Sequence, residues 1–142
     1  MIVYADTSAL VKLFVTEEGS EATRTLLCQA SVMGTGLLAR AELGAALARG
    51  ARRGLLSEAN ALEARRRLEG VWPTWVRIGV DENLVSRAEA LAWEYNLRGY
   101  DALHLASALA WKERVQHPVA LLTFDRELWE ASQRAGLIAW PE

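Results

Sequence analysis

The sequence is poor in several features that would have indicated a particular class of protein. It has one cysteine among 142 residues, so no disulfide can form within the chain. Its longest apolar stretches, Ala5–Val15 and Ala102–Trp111, are interrupted by polar residues and fall short of the roughly 18 to 20 residues of a membrane span. The first six residues lack the basic flank and apolar segment of a signal peptide. We therefore expect a soluble protein of the reducing cytoplasm.

A surplus of basic charge is also missing. Sixteen Lys and Arg stand against eighteen Asp and Glu, a net charge of −2, which excludes a protein that holds nucleic acid by bulk electrostatics alone. Any basic surface must be local, and residues 40–77 are such a region, with eight Arg against four Glu. With 51% hydrophobic residues, the length suits one domain over residues 1–142 with a core of its own.

Short apolar runs alternate with amphipathic segments along the whole chain. Strands are predicted at Ile2–Ala5, Ser31–Thr35, Val76–Val80, Val119–Thr123 and Leu137–Trp140. Helices are predicted to begin at or near Asp6, Gly19, Leu37, Ser57, Asp81, Asp101 and Asp125. Parallel strands need crossover connections, which are usually helical, so the pattern predicts an α/β fold with a mostly parallel central sheet flanked by helices.

Four acidic residues stand out by their positions. Asp6 and Asp125 directly follow predicted strands, and the carboxyl ends of neighbouring parallel strands form the rim where ligands bind in such sheets. Asp101 follows a Gly-Tyr pair at a predicted helix start. Glu42 lies on an otherwise apolar stripe of a helix, where an acid is misplaced unless the stripe ends at a polar pocket.

Each of the three aspartates also has an ordinary interpretation as a helix N-cap. Four carboxylates in one cleft would repel, at a cost on the order of 4 kcal/mol for a pair about 4 Å apart at an effective dielectric near 20. Such a cluster needs a cation. Oxygen-only ligands suit Mg²⁺ or Mn²⁺ better than Zn²⁺, and these ions commonly serve displacement at phosphorus.

Four short motifs together resemble those of PIN-domain proteins in order and spacing, and most closely those of the VapC toxins of toxin–antitoxin pairs. The motifs are Asp-Thr-Ser-Ala-Leu-Val-Lys from residue 6, Arg-Ala-Glu-Leu from 40, Tyr-Asp-Ala-Leu-His-Leu-Ala from 100 and Leu-Thr-Phe-Asp-Arg-Glu-Leu from 122. The likeness runs through nearly the whole chain. It implies a PIN-like three-layer fold and an endoribonuclease that depends on Mg²⁺ or Mn²⁺.

The resemblance also implies roles for individual residues. Asp6 and Asp101 are the leading metal ligands, Asp125 completes the set directly or through water, and Glu42 either binds the metal or orients the attacking water. The metal would activate the water and stabilise charge on the leaving oxygen, so no protein nucleophile is required; one ion or two both remain open. Hydroxyls that support the pocket are expected at Thr7, Ser8 and Thr123.

Proteins of this kind usually form homodimers and are inhibited by a cognate antitoxin, so both partners are expected beside the RNA substrate. An antitoxin arginine would be attracted by Asp6 and Asp101. The rest of the antitoxin tail is expected in an apolar groove formed by the helix after Asp6 and the helices of residues 49–67.

Three other features have two interpretations each. His104 lies one helical turn after Asp101 and is either a ligand or general base, or a packed histidine, which we favour. The arginines of residues 40–77 either guide RNA or form a solvated helix face. Trp72 and Trp75 flank Pro73 and either stack on bases or receive a partner's apolar side chain, whereas core or dimer packing is expected of the other tryptophans, Trp93, Trp111, Trp129 and Trp140.

Two rival functions have different requirements. A phosphoryl-transfer domain in which Asp6 is phosphorylated needs adjacent acids or an Asp-x-Asp pattern, and Asp6-Thr7-Ser8 has neither. A non-catalytic PIN fold that only binds RNA or protein has no use for four acids in one cleft, because without a metal they would destabilise it.

Overall fold

Five short strands form one sheet in which every neighbouring pair is parallel. The computed structural model describes all residues, 1–142. The strands are β1 (Ile2–Ala5), β2 (Val32–Gly36), β3 (Val76–Ile78), β4 (Val119–Leu122) and β5 (Ile138–Trp140). They lie side by side in the order β3-β2-β1-β4-β5. The predicted α/β class with a parallel central sheet is confirmed.

Seven helices fill the connections between strands. They are α1 (Thr7–Phe14), α2 (Ser20–Cys28), α3 (Ala39–Arg52), α4 (Glu58–Val71), α5 (Glu82–Tyr95), α6 (Gly99–Val115) and α7 (Arg126–Arg134). The helix α4 gives way to a 3-10 turn at Trp72–Thr74, because Pro73 has no backbone N–H with which to continue an α-helix. None of the seven helices is both long and apolar enough to cross a membrane.

The predicted boundaries differ from the observed ones by one or two residues. The strand β2 ends at Gly36, and β3 ends at Ile78 where the apolar run suggested Val80. The helix α6 begins at Gly99, two residues before the predicted start, with Arg98 as its extended N-cap residue. Asp101 therefore lies inside the first turn of α6 and does not cap it, unlike Asp6 and Asp125, which cap α1 and α7.

The sheet separates two hydrophobic cores. One core holds side chains of α1, α3 and α4 against Val3, Ala5, Ala120 and Leu122. The other holds side chains of α5, α6 and α7 against Tyr4, Val119 and Leu121. The chain runs outward from β1 to β2 and β3 and then returns across the sheet to β4. The strand order therefore reverses between β1 and β4, and the carboxyl ends of these two strands form the crevice in which open α/β sheets bind ligands.

The tryptophans take several roles. Trp72 and Trp75 are buried in the core with ring centroids 5.9 Å apart, so both predicted roles, base stacking and contact with a partner's side chain, are wrong for them. Trp111 is also buried, and its ring lies against β2 at Gly34, where an added Cβ would come within 2.7 Å of it. Trp93 is 84% exposed and takes no part in either core, so of the two roles expected for it only dimer packing stays a prediction.

Candidate active site at the carboxyl edge of the sheet

The Asp6 side chain is the most firmly held of the four acids. Its Oδ1 accepts hydrogen bonds from Ser8 Oγ at 2.7 Å and from the backbone N–H of Ala9 at 3.0 Å. Its Oδ2 accepts one from Thr123 Oγ1 at 2.5 Å. The residue is only 3% exposed. The two carboxylate oxygens thus have donors from α1 and from the residue that follows β4, which fixes the orientation of the group.

Thr123 links Asp6 to Asp125. Its Oγ1 donates to Asp6 and accepts from the backbone N–H of Asp125 at 3.0 Å. The Oδ1 atom of Asp125 accepts from Leu128 N at 2.9 Å and so caps α7. The N-cap and rim interpretations of Asp125 are therefore compatible, because one oxygen caps the helix and the other faces outward.

Arg98 joins Asp125 to Asp101. Its Nη2 donates to Asp125 Oδ2 at 2.9 Å and its Nε donates to Asp101 Oδ2 at 2.9 Å. The guanidinium thus stands between two carboxylates from different helices and neutralises part of their charge. Arg98 was not anticipated, although its spacing of three residues from Asp101 is a charge pair that a helix brings together.

Glu42 is held by a histidine. His104 Nε2 lies 3.0 Å from Glu42 Oε1, and its Nδ1 lies 2.8 Å from the Tyr4 hydroxyl. Thr7 Oγ1 lies 3.4 Å from the same Nε2. Both ring nitrogens therefore have partners and His104 is only 6% exposed, which supports the packed interpretation over a metal-ligand role.

Gly36 makes room for this arrangement at the end of β2. A Cβ at this position would lie 2.9 Å from the Tyr4 hydroxyl and 3.7 Å from His104 Nδ1. Neither Tyr4 nor Gly36 was singled out from the sequence. The sequence feature that pointed to Tyr4 was an aromatic residue with a hydroxyl in the middle of an otherwise apolar strand. When such a residue is buried, its hydroxyl needs a hydrogen-bond partner.

The two buried acids respond to their surroundings in opposite ways. Burial raises the pKa of Asp6 above its usual value, although His104, Thr123, Ser8 and the Ala9 N–H act against the rise. Burial also acts to raise the pKa of Glu42, but the hydrogen bond and electrostatic influence of His104, with help from Thr7, outweigh it, so the pKa of Glu42 is lowered. Glu42 is thus held as a carboxylate, whereas the ionised form of Asp6 is disfavoured.

Three of the four predicted acids, Asp6, Asp125 and Asp101, lie along one chain of contacts through Thr123 and Arg98 at the edge of β1 and β4. Glu42 belongs to a second set of contacts with His104. The four acids do not form one compact cluster, since no three His, Cys, Asp or Glu side chains are grouped closely enough to hold a metal ion. Arg98 and the donors around Asp6 occupy oxygens that a metal would use. Thr7, Ser8 and Thr123, predicted as supporting hydroxyls, all contact members of these two sets.

The arginines of residues 40–77 divide into two groups. Four have partners within the chain: Arg40 lies over the Trp72 ring, Arg65 pairs with Glu69, Arg67 donates to the Leu13 carbonyl and Arg77 donates to the Trp72 carbonyl. The other four, Arg49, Arg52, Arg53 and Arg66, are exposed and form no salt bridge. The second group is free of contacts within the chain.

Comparison with known proteins agrees with this fold and identifies the family. The family model of the PIN domain matches residues 3–133, and the chain belongs to the PIN-domain family. Among curated relatives, it is 38% identical to Ribonuclease VapC45 of Mycobacterium tuberculosis over 138 residues, which is 95% of this chain and 92% of that protein. It is 36% identical to Ribonuclease VapC3 of Pyrobaculum aerophilum over 132 residues, covering 92% and 94% of the two chains.

A solved structure shares the fold. The chain superposes on a toxin–antitoxin complex from Klebsiella pneumoniae with a TM-score of 0.62 and 21% identity, covering 87% of this chain and 86% of that one. At this level of identity the superposition concerns the fold alone. The predicted resemblance to PIN-domain proteins of the VapC type is confirmed by the family match and the curated relatives.

Proposed function

We propose that the chain, over residues 1–142, is a metal-dependent endoribonuclease and the toxin of a type II toxin–antitoxin pair. The observation that carries the proposal is the placement of Asp6, Asp101, Asp125 and Glu42 at the carboxyl edge of the sheet, in two sets of contacts. The protein that carries them is related over more than nine-tenths of its length to VapC ribonucleases. The non-catalytic alternative has no comparable support, because it gives these acids no purpose.

The donor set fits a hard divalent cation. Asp6, Glu42, Asp101 and Asp125 offer carboxylate oxygens only, with no cysteine nearby and with both nitrogens of His104 engaged. A cationic group, the Arg98 guanidinium, already stands between two of these acids. Mg²⁺ or Mn²⁺ suits oxygen ligands of this kind. Bound here, such an ion would supply Lewis acidity for water activation and for charge on the leaving oxygen.

The residues of the chain provide the rest of the chemistry. Ser8, Ala9 N–H and Thr123 orient Asp6, which we assign with Asp101 as a principal metal ligand, and Asp125 completes the ligand set directly or through water. Glu42, kept ionised by His104, binds the metal or orients the attacking water and can accept its proton at a carboxylate oxygen. Exposed Arg49, Arg52, Arg53 and Arg66 are available to the RNA backbone.

Cleavage of RNA by the purified protein tests the proposal. We expect activity with Mg²⁺ or Mn²⁺, none in excess EDTA, and a loss of at least a hundredfold in Asp6→Asn and Asp101→Asn. Asp81→Asn is the matched control, because Asp81 also caps a helix through Leu84 N–H but contacts none of the four acids. Undiminished cleavage in EDTA, or equal losses in all three variants, would refute the mechanism.

The antitoxin is proposed to occupy a groove between α3 and α4. Its lining combines an apolar floor with two arginines and one glutamate, from Arg40, Gly44, Leu47, Ala48, Ala61, Leu62, Arg65, Leu68 and Glu69. An amphipathic segment with acidic residues on its polar side suits this lining. An antitoxin arginine directed at Asp6 and Asp101 would add the inhibitory contact.

Expression in cells tests the toxin role. The wild-type chain alone should arrest growth, and Asp101→Asn should relieve the arrest while leaving antitoxin binding largely intact. The reducing cytoplasm is the proposed location, where the exposed free thiol of Cys28 is stable. Harmless expression of a protein that cuts RNA when purified would contradict the toxin role without affecting the nuclease proposal.

A further inference from the structure

The contacts of Arg98 leave Asp125 without a free carboxylate oxygen. One oxygen, Oδ1, accepts the N–H of Leu128 and caps α7, and the other, Oδ2, accepts Nη2 of Arg98 at 2.9 Å. Asp101 shares the same guanidinium, through Nε and its own Oδ2. A cation that binds both aspartates through these outward oxygens must therefore displace Arg98.

The displacement is energetically feasible. The Arg98 side chain is 74% exposed, whereas those of Asp101 and Asp125 are 15% and 23% exposed. Ion pairs with an exposed partner contribute little, because water screens them and a long side chain must be ordered. The two aspartates, in contrast, are partly removed from water and need a counter-charge at all times. The two ion pairs of Arg98 thus neutralise part of the charge of the aspartates, and a divalent ion can still displace the exposed guanidinium.

We propose that Arg98 is a built-in counter-cation of the site, which holds Asp101 and Asp125 when no divalent ion is bound and competes with that ion for their outward oxygens. The inference rests on the proposed metal-dependent function and assigns Arg98 as a positioning residue. At Asp101 and Asp125 the arginine fork thus occupies the oxygens that the divalent ion would bind.

A second arginine offers a matched control. Arg87 on α5 donates to both carboxylate oxygens of Glu113 on α6, at 2.8 and 2.7 Å. This pair has the same chemistry and a partly exposed arginine, but it involves none of the four acids. Loss of the Arg87 pair therefore measures the general effect of removing an arginine–carboxylate contact.

The test is Mn²⁺ binding by isothermal titration calorimetry to the full chain, as wild type, Arg98→Gln, Arg98→Lys and Arg87→Gln. Removal of the competitor should tighten Mn²⁺ binding by roughly three- to tenfold in Arg98→Gln. Arg98→Lys keeps the charge without the planar fork and should fall between that variant and the wild type. Arg87→Gln should bind as the wild type does.

Thermal unfolding gives a second readout that does not depend on activity. In EDTA, Arg98→Gln should have a lower Tm than the wild type, because Asp101 and Asp125 then repel each other, and saturating Mn²⁺ should close or reverse the gap. Unchanged or weaker Mn²⁺ binding in Arg98→Gln, with normal binding by the wild type, would overturn the role of Arg98 alone. Absence of Mn²⁺ binding in every folded variant would overturn the metal site as well.

Discussion

The hydroxyl of Tyr4 lies 2.8 Å from His104 Nδ1, on the opposite side of the ring from Glu42. A carboxylate only accepts hydrogen bonds, so Nε2 carries the proton that faces Glu42, and in the neutral ring Nδ1 is then the acceptor. Burial raises the pKa of Tyr4 far above its usual value, so the hydroxyl keeps its proton and donates a hydrogen bond to Nδ1 whenever the His104 ring is neutral. In that neutral form, a residue of the core strand β1 favours the tautomer whose Nε2–H faces Glu42.

Tyr4→Phe tests this relationship. The change leaves His104 Nδ1 buried without a donor, and we expect the free energy of unfolding to fall by about 1–3 kcal/mol. RNA cleavage should also slow, chiefly in kcat, because His104 is then free to adopt the tautomer that turns a lone pair toward Glu42. Chemical denaturation and steady-state kinetics give the two values.

Tyr95→Phe is the control for the loss of a phenol hydroxyl, since Tyr95 lies on α5 and packs under Arg134 at the surface. This variant should retain full cleavage. If Tyr4→Phe also kept a normal kcat while losing stability, Tyr4 would contribute to the core alone and the tautomer argument would be wrong.

Asp6→Asn should stabilise the metal-free protein at neutral pH. Because the folded-state pKa of Asp6 is raised, its favourable contribution is complete only below the unfolded pKa near 3.8 and is lost as pH rises through the folded value. Replacement of Asp6 by asparagine removes this loss of stability at neutral pH. The amide oxygen still accepts hydrogen bonds from Ser8 Oγ and the Ala9 N–H. We expect a gain larger than the roughly 0.5 kcal/mol typical of surface changes, measured by urea denaturation in EDTA at pH 7.

The contribution of Glu42 to the free energy of unfolding changes with pH in the opposite direction. Its folded-state pKa is lowered, so its stabilising contribution is present above the unfolded pKa near 4.5 and lost as pH falls through the lower folded value. Glu42→Gln should therefore be less stable than the wild type at pH 7, with the difference shrinking in acid. If Asp6→Asn and Glu42→Gln changed the free energy of unfolding in the same direction at pH 7, the environments of the two acids would not differ as described.

Gly34→Ala should destabilise the fold without touching the site. The new methyl group would lie 2.7 Å from the Trp111 ring, and overpacking of this kind costs about 1–3 kcal/mol. Gly70→Ala is the matched control, because Gly70 lies within α4 with open space around it and alanine is the better helix former. Equal stabilities of the two variants would mean that α6 can move away from the sheet at no cost.

The protein is expected to form homodimers. Trp93 on α5 is 84% exposed and has no intramolecular role, which is unusual for so large an aromatic side chain and supports a partner surface. Sedimentation should show about twice the chain mass of 15.7 kDa at micromolar concentration, and Trp93→Glu should shift the distribution toward the monomer. A wild-type protein that stays monomeric throughout this range would refute the expectation.

The sequence predicted the strands, helices and rim acids well because local rules determine them. The alternation of apolar runs located the strands. Acids that directly follow β1 and β4 lie at one edge of the sheet, because the carboxyl ends of parallel strands meet there. The start of α6 was misplaced because Asp101 is a favoured capping residue, whereas the extended backbone at Arg98 begins the helix earlier.

Partners far apart in the chain were beyond sequence reasoning. Tyr4 and His104 are separated by 100 residues, and Arg98 and Asp125 by 27, so only the packing of α6 against the sheet and beside α7 brings them together. Repulsion among the four acids led us to expect a divalent cation between them. It did not reveal that an arginine of the chain itself stands between two of them.

The position of the sheet between two separate cores has a consequence for cooperativity. Glu42 is carried by an element packed in one core, and Asp101 and Asp125 are carried by helices packed in the other, while β1 and β4 are shared. Any ligand that requires all four acids is therefore bound only when both layers are folded at once. Local opening of either layer would separate the acids, so binding at the rim would suppress partial unfolding on both faces of the sheet together.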